Sequence, residues 1–171
     1  MRTDAPMNPT LELMAYAAVQ QLAAAGLSVA TAESCTGGLI AAALTEVPGA
    51  SAVFRYGWVT YCNEAKERLL YVPEDLIAAH TVVSEPVVAA MAENAMRQSG
   101  ADMAIAVSGN AGPTAAEGEP PVGTVCLALC RRAAQRPLHT ETLHLPGLNR
   151  RAIRERVVQR ALELLCVVTR G

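Results

Sequence analysis

The segment ESCTGG at residues 33–38 places a serine hydroxyl where a short β-favouring run gives way to an alanine-rich helix. At such a turn the N–H groups of Cys35, Thr36, Gly37 and Gly38 have no partner within the helix and would point at anything held beside Ser34. That is the outline of a nucleophile with an oxyanion hole. The competing reading has Ser34 or Thr36 capping the helix and the glycines allowing close packing. Cys35 is a rival nucleophile, because a helix N-terminus can depress a thiol pKa, although no histidine partner is evident for it.

A nucleophilic serine needs a base. None of His80, His139 and His144 lies in a segment with an acidic residue placed to orient it, so a Ser-His-Asp set has little support. Lysine serves as a base only when its pKa falls from about 10.4 toward 7 or 8, worth roughly 4 kcal/mol. Of the 14 basic residues, 13 are arginine and one, Lys66, is lysine. Arginine replaces lysine as a surface charge but cannot deprotonate, so a lone lysine marks a place where neutrality is needed, or simply survives a compositional bias. Lys66 falls in the first turn of a helix expected to be capped by Asn63, near the positive end of its dipole. That dipole contributes about 0.3–1 kcal/mol at a surface, so most of the shift must come from burial. Tyr61, at the end of the preceding strand, is placed to relay or orient a proton.

Two arginines complete the candidates. At about 100° per residue, Ile153, Val157, Val158, Ala161, Leu164 and Leu165 centre one apolar face of the last helix, and Arg150 and Arg154 fall on that face. They would suit a phosphate or carboxylate, or would snorkel around the core edge. The phosphate-binding GxxxxGK[ST] pattern, GxGxxG, HExxH and GxSxG are all absent.

These residues must be positioned by a recognisable series of elements. Helical spacing runs from Leu11 to a stop at Gly26. Strands are expected at 27–33, 52–62, 101–109, 124–132 and 138–145. Helices are expected at 39–47, 63–72 and 73–80, then after a Ser84 cap to residue 100, and from about Asn149 to Arg170. The order describes a single α/β domain at 10–171 behind a tail at 1–9, a three-layer sandwich with a mixed sheet and helices on both faces. Ligands of such sheets collect at the carboxyl ends of strands, so SCTGG and GNAGP should meet on one edge.

The chain has 171 residues, a formal charge of -2 and 51% hydrophobic residues, which fits one globular domain. A pI near 5.9 argues against general nucleic-acid binding. No apolar run reaches about 18 residues and the start lacks a signal-peptide core, so the expected setting is cytoplasmic, without a membrane partner. Five cysteines without CxxC spacing or nearby histidines suggest neither a disulfide framework nor a metal site, and Cys126 and Cys130 share one strand face as core residues.

The stretches TAESCTGGLIAAALTEVPGAS, VTYCNEAK and VSGNAGP, with PVGTV downstream, resemble the C-terminal domain of the competence/damage-inducible protein CinA. Its stand-alone members are the PncC-type nicotinamide-nucleotide amidases. The resemblance runs from about residue 10 to 168. It implies a sandwich, typically dimeric, that hydrolyses nicotinamide mononucleotide to nicotinic acid mononucleotide and ammonia without a metal or organic cofactor. The family's nucleophile falls on Ser34, its tyrosine on Tyr61 and its lysine on Lys66. The resemblance further implies an oxyanion site at Thr36 and Gly37. Gly109, Asn110, Gly112 and Thr124 would line the ribose phosphate, and Arg150 or Arg154 would meet its charge.

The ligand loop departs from the family pattern. Many members read TGIAGPGGG with a lysine-proline before VGTV, whereas this chain reads SGNAGPTAAEGEPPVGTV, with Asn110 in place of an apolar residue. Three readings follow: the nucleotide amidase, a hydrolase of a different small amide, and a noncatalytic binding or regulatory module that keeps the fold.

Overall fold

Helix α1 (Pro9–Ala24) begins two residues earlier than its apolar spacing predicts, because Pro9 fits the first turn and the Asn8 side chain accepts from the Thr10 N–H at 3.0 Å. The computed structural model describes residues 8–115, 117–134 and 137–169, so tail residues 1–7 and Arg170 lie outside the described residues. Next come β1 (Val29–Glu33), α2 (Leu39–Thr45), β2 (Phe54–Val59), α3 (Asn63–Leu70), α4 (Glu74–His80) and α5 (Glu85–Ser99). Strands β3 (Met103–Gly109), β4 (Thr124–Arg131) and β5 (His139–His144) and helix α6 (Arg150–Val168) complete the chain. The order is the expected one; a short 3-10 turn at Ala50–Ala52 takes the start of the second expected strand.

Among the described residues five strands form one mixed sheet in the order β2-β1-β3-β4-β5, parallel across β2, β1 and β3 and antiparallel beyond. Its two faces differ. Met103, Ile105, Val107, Val125, Leu127 and Leu129 pack against α1, α2 and α6. The alternating positions Ala104, Ala106, Ala128, Cys126 and Cys130 are small and meet α5, which lies across them with Val87, Val88, Met91 and Ala95 buried. Period-two alternation of large and small side chains therefore lets a helix lie close on one face while the other carries the bulk of the core.

The connection from β1 to β2 leaves through α2 on the large-residue face, and that from β2 to β3 returns through α3, α4 and α5 on the other. Adjacent parallel strands whose chains leave to opposite faces open a crevice at their carboxyl ends. Ser34 follows β1, Tyr61 follows β2 and Asn110 follows β3, so all three stand on that edge.

Two caps differ from expectation. Cys62, not Asn63, occupies the cap position of α3, which puts Lys66 fourth in that helix. Ser84 does precede α5, but its hydroxyl donates to the Thr81 carbonyl at 2.9 Å instead of accepting from the helix. Thr81 carries φ 64° and ψ 160°, a conformation strained for a residue with a Cβ. The segment it begins is held where Ser108 Oγ donates to the Val82 carbonyl at 2.8 Å.

Candidate active site

Ser34 is fixed first by backbone. Its N–H donates to the Val107 carbonyl at 3.0 Å, and the Thr60 N–H donates to the Glu33 carbonyl at 2.8 Å, so the ends of β1, β2 and β3 are tied around it. Lys66 rises from the first turn of α3 across the crevice. Its side chain is 1% exposed, and Nζ lies 3.2 Å from Ser34 Oγ and 2.8 Å from the Thr60 carbonyl oxygen. Burial holds the Lys66 pKa below its ordinary value, opposed by the negative charge that Cys62, Cys35 and Glu119 carry when ionised. Nζ donates to the Thr60 carbonyl and to Ser34 Oγ, and once deprotonated it can keep the Thr60 bond while turning its lone pair to the serine hydroxyl. A hydroxyl and an amine so placed can act as nucleophile and base.

The oxyanion expectation is corrected in part. Glu33, fully buried, accepts from the N–H groups of Gly38, Ile40 and Ala41 at 3.1, 2.9 and 2.8 Å, and the Gly37 N–H closes a turn onto the Ser34 carbonyl at 3.0 Å. Gly37 and Gly38 thus have no free donor, and the helix end is neutralised by a carboxylate rather than by Ser34 or Thr36. Among the described residues the N–H groups of Cys35 and Thr36 have no hydrogen-bond acceptor in another residue, and these two remain available.

Arg150 and Arg154 part company. Arg150 Nη1 donates to the Gly112 carbonyl at 2.6 Å and Nη2 to the Tyr61 hydroxyl at 2.8 Å, joining the start of α6 to the loop and to Tyr61. Arg154 turns inward: Nε donates to the Cys35 carbonyl at 3.1 Å and Nη2 to the Thr36 carbonyl at 2.9 Å. It clamps the turn that carries Ser34 and is no part of the cavity wall. Thr124 also stands outside that wall; as the first residue of β4 its backbone accepts from the Asn110 N–H and donates to the Pro121 carbonyl, anchoring the loop.

Ser34, Lys66, Tyr61 and Arg150, with Gly109, Asn110 and Gly112, line a cavity of about 430 Å³, within the ~300–1,000 Å³ usual for small-molecule sites. Asn110 holds its own loop: Oδ1 accepts from the Gly112 N–H at 3.0 Å and Nδ2 donates to the Pro120 carbonyl at 3.2 Å. Gly109 and Gly112 are required by space, since a Cβ would come within 2.6 Å of Val125 and 2.7 Å of Val122 respectively. Cys35 also borders the cavity, but burial pushes its thiol up to about 12, which disfavours the thiolate that a cysteine nucleophile needs.

Sequence reasoning missed Glu33 and Glu119. The alternation Val29, Thr31, Glu33 along β1 was a usable sign that Glu33 faces α2. Nothing local shows that Glu119, far along a glycine- and proline-rich loop, reaches the cavity.

Among the described residues no helix is long and apolar enough to cross a membrane, and no group of three or more His, Cys, Asp or Glu is placed to hold a metal ion. Residues 11–168 match the model of the CinA C-terminal domain. A CinA-like protein of Akkermansia muciniphila is 52% identical over 158 residues, covering 92% of this chain and 37% of that protein. One of Anaeromyxobacter dehalogenans is 48% identical over 153 residues, covering 89% and 36%. The chain therefore spans about a third of the length of the curated relatives it matches. Among solved structures, the competence/damage inducible protein from Agrobacterium tumefaciens superposes with a TM-score of 0.91 at 38% identity, covering 98% of this chain and 99% of that one. The competence or damage-inducible protein from Enterobacter asburiae gives 0.88 at 32% identity, covering 95% and 99%.

Proposed function

The chain belongs to the CinA C-terminal domain family, and on that premise we propose that its cavity hydrolyses the carboxamide of nicotinamide mononucleotide, giving nicotinic acid mononucleotide and ammonia. The observation that carries the proposal is the buried contact of 3.2 Å between Lys66 Nζ and Ser34 Oγ at the floor of a cavity that also holds Arg150.

In this reading neutral Lys66 takes the Ser34 proton as Oγ attacks the carboxamide carbon, and the oxygen of the tetrahedral intermediate meets the N–H groups of Cys35 and Thr36. The intermediate collapses as the C–N bond breaks. The leaving nitrogen gains the proton that Lys66 holds, with Tyr61 passing it across. Because Tyr61 Oη accepts from Arg150, its own proton is free to be donated. Water then attacks the acyl-serine, Lys66 again serving as base, and the carboxylate product departs with Ser34 restored. Arg150 meets the phosphate, while Arg154 keeps the turn in place. The reading also takes in the cytoplasmic setting and the homodimer or larger homo-oligomer that the resemblance implies.

The test is ammonia release from nicotinamide mononucleotide, nicotinamide riboside, nicotinamide and simple aliphatic amides, with Ser34→Ala as control. Release from the mononucleotide that Ser34→Ala abolishes is the expected result. Release only from another amide replaces the substrate, and tight binding without release turns the reading to a binding module.

A further inference from the structure

One group in the cavity has no part in the steps above. Glu119 lines the wall with Ser34, Lys66 and Arg150. Its Oε2 is shut off from solvent and has no hydrogen-bond partner among the described residues. A shielded carboxylate oxygen without a donor is costly, and folded proteins keep few of them. The loop supplies no counter-charge, since residues 109–123 contain no lysine, arginine or histidine. Where many family members carry a lysine before the proline of PVGTV, this chain has Pro120. Lys66 is near enough for the Glu119 charge to favour its ammonium form. The base must be neutral to take the Ser34 proton, however, so in the reactive state the carboxylate is left without a cation.

Arg150 supplies the opposite sign. It donates to two neutral oxygens and pairs with no acid among the described ion pairs. A cavity with one guanidinium and one unpaired carboxylate in its wall is complementary to a zwitterion, a molecule with an anionic group and a cationic one.

We propose that Glu119 is a specificity determinant of this cavity, selecting carboxamides borne on a cationic ring, the pyridinium type, over the same amide on a neutral ring. The proposal rests on the amidase reading and deepens it. A pyridinium beside Glu119 neutralises the charge that holds a proton on Lys66, so binding of the cationic substrate itself favours the free base.

The experiment compares nicotinamide mononucleotide with its reduced dihydropyridine form, which keeps the carboxamide, ribose and phosphate and loses the ring charge. Both are assayed by chromatography of the acid product with wild type, Glu119→Gln and Glu119→Asp. Wild type should favour the oxidised form in kcat/KM. On the alkaline plateau of the pH profile, where Lys66 has lost its proton in both enzymes, Glu119→Gln should raise KM for that form roughly tenfold, the size of one charge-assisted contact, while kcat and both constants for the reduced form hold within about twofold. Glu119→Asp, which keeps the charge, should retain part of the preference. The acid limb of kcat/KM should move to lower pH in Glu119→Gln, since the charge that favours the Lys66 ammonium is gone.

Equal losses on both substrates, or none on either, overturn the proposal. If wild type turns over neither compound, the amidase reading fails separately. Equilibrium binding of the two compounds to Ser34→Ala, with and without Glu119→Gln, then decides. A cation preference lost with Glu119→Gln supports the proposal, and equal binding of the two compounds overturns it.

Discussion

Lys66→Met separates the chemistry of the site from its stability. Methionine keeps an unbranched apolar stem of similar length, so packing around a side chain now 1% exposed is preserved. Two contacts disappear, to the Thr60 carbonyl at 2.8 Å and to Ser34 Oγ at 3.2 Å. An orphaned carbonyl costs about 1–3 kcal/mol. Against this, the amine was paying a desolvation penalty, visible as its lowered pKa, and that penalty ends with the substitution. The two terms oppose, so stability in urea denaturation should stay within about 2 kcal/mol of wild type.

Activity should not survive. A positioned general base contributes about 10²–10⁴ in rate, or roughly 3–5.5 kcal/mol at about 1.4 kcal/mol per decade. Ammonia release should fall by that factor in kcat, and the double variant with Ser34→Ala should be no worse than the poorer single one, because the pair acts as a unit. Lys66→Arg keeps the charge, removes the base and buries a guanidinium with only two oxygen partners, so it should lose both activity and stability. A Lys66→Met enzyme with more than about a tenth of wild-type kcat, or additive losses in the double variant, would refute the assignment of Lys66 as base.

The pKa of Lys66, lowered from 10.5 by burial, fixes two pH profiles. The kcat/KM should rise with pH as Lys66 loses its proton, the limb lying below the ordinary lysine range. Stability should rise as well, between the depressed folded value and 10.5, because there the unfolded chain binds more protons; below that window the penalty is complete and constant, and Lys66→Met should show no such rise. Cys35, pushed up to about 12, should resist iodoacetamide at pH 8 while exposed Cys62 reacts, and Cys35→Ala should keep kcat within a few-fold; rapid alkylation at Cys35 tracked by mass spectrometry would contradict this. Arg154→Met frees the Cys35 and Thr36 carbonyls from their clamp, so kcat should drop roughly 10- to 100-fold with KM little changed, whereas a rise in KM alone would make Arg154 a ligand contact.

Local information decided the elements and singled out the side chains whose chemistry suits the proposed reaction. Short, continuously apolar runs marked β3 and β4, and the apolar stripe on α6 placed Ile153, Val157, Ala161 and Leu165 in the core as expected. Where ends moved, a local bond moved them, as with the Asn8 cap of α1. Ser34 stood out by its turn, and Lys66 as the lone lysine among arginines, because a base must lose a proton and arginine does not. Placement was another matter. Arg150 and Arg154 share one helix face in the sequence. Four residues of helix carry one to the Tyr61 hydroxyl and the other to the carbonyls behind Ser34, a choice made by what lies beneath each turn of α6. The same holds for the free N–H groups of the ESCTGG turn, which Glu33 claims only because β1 points its carboxylate at the start of α2. The sequence alone therefore determined which groups can react, through side-chain chemistry and periodicity. Only the tertiary structure brought Lys66 to Ser34 across 32 positions and Glu119 to the same cavity, because contacts between crossing strands and loops depend on strand order, which no local pattern encodes.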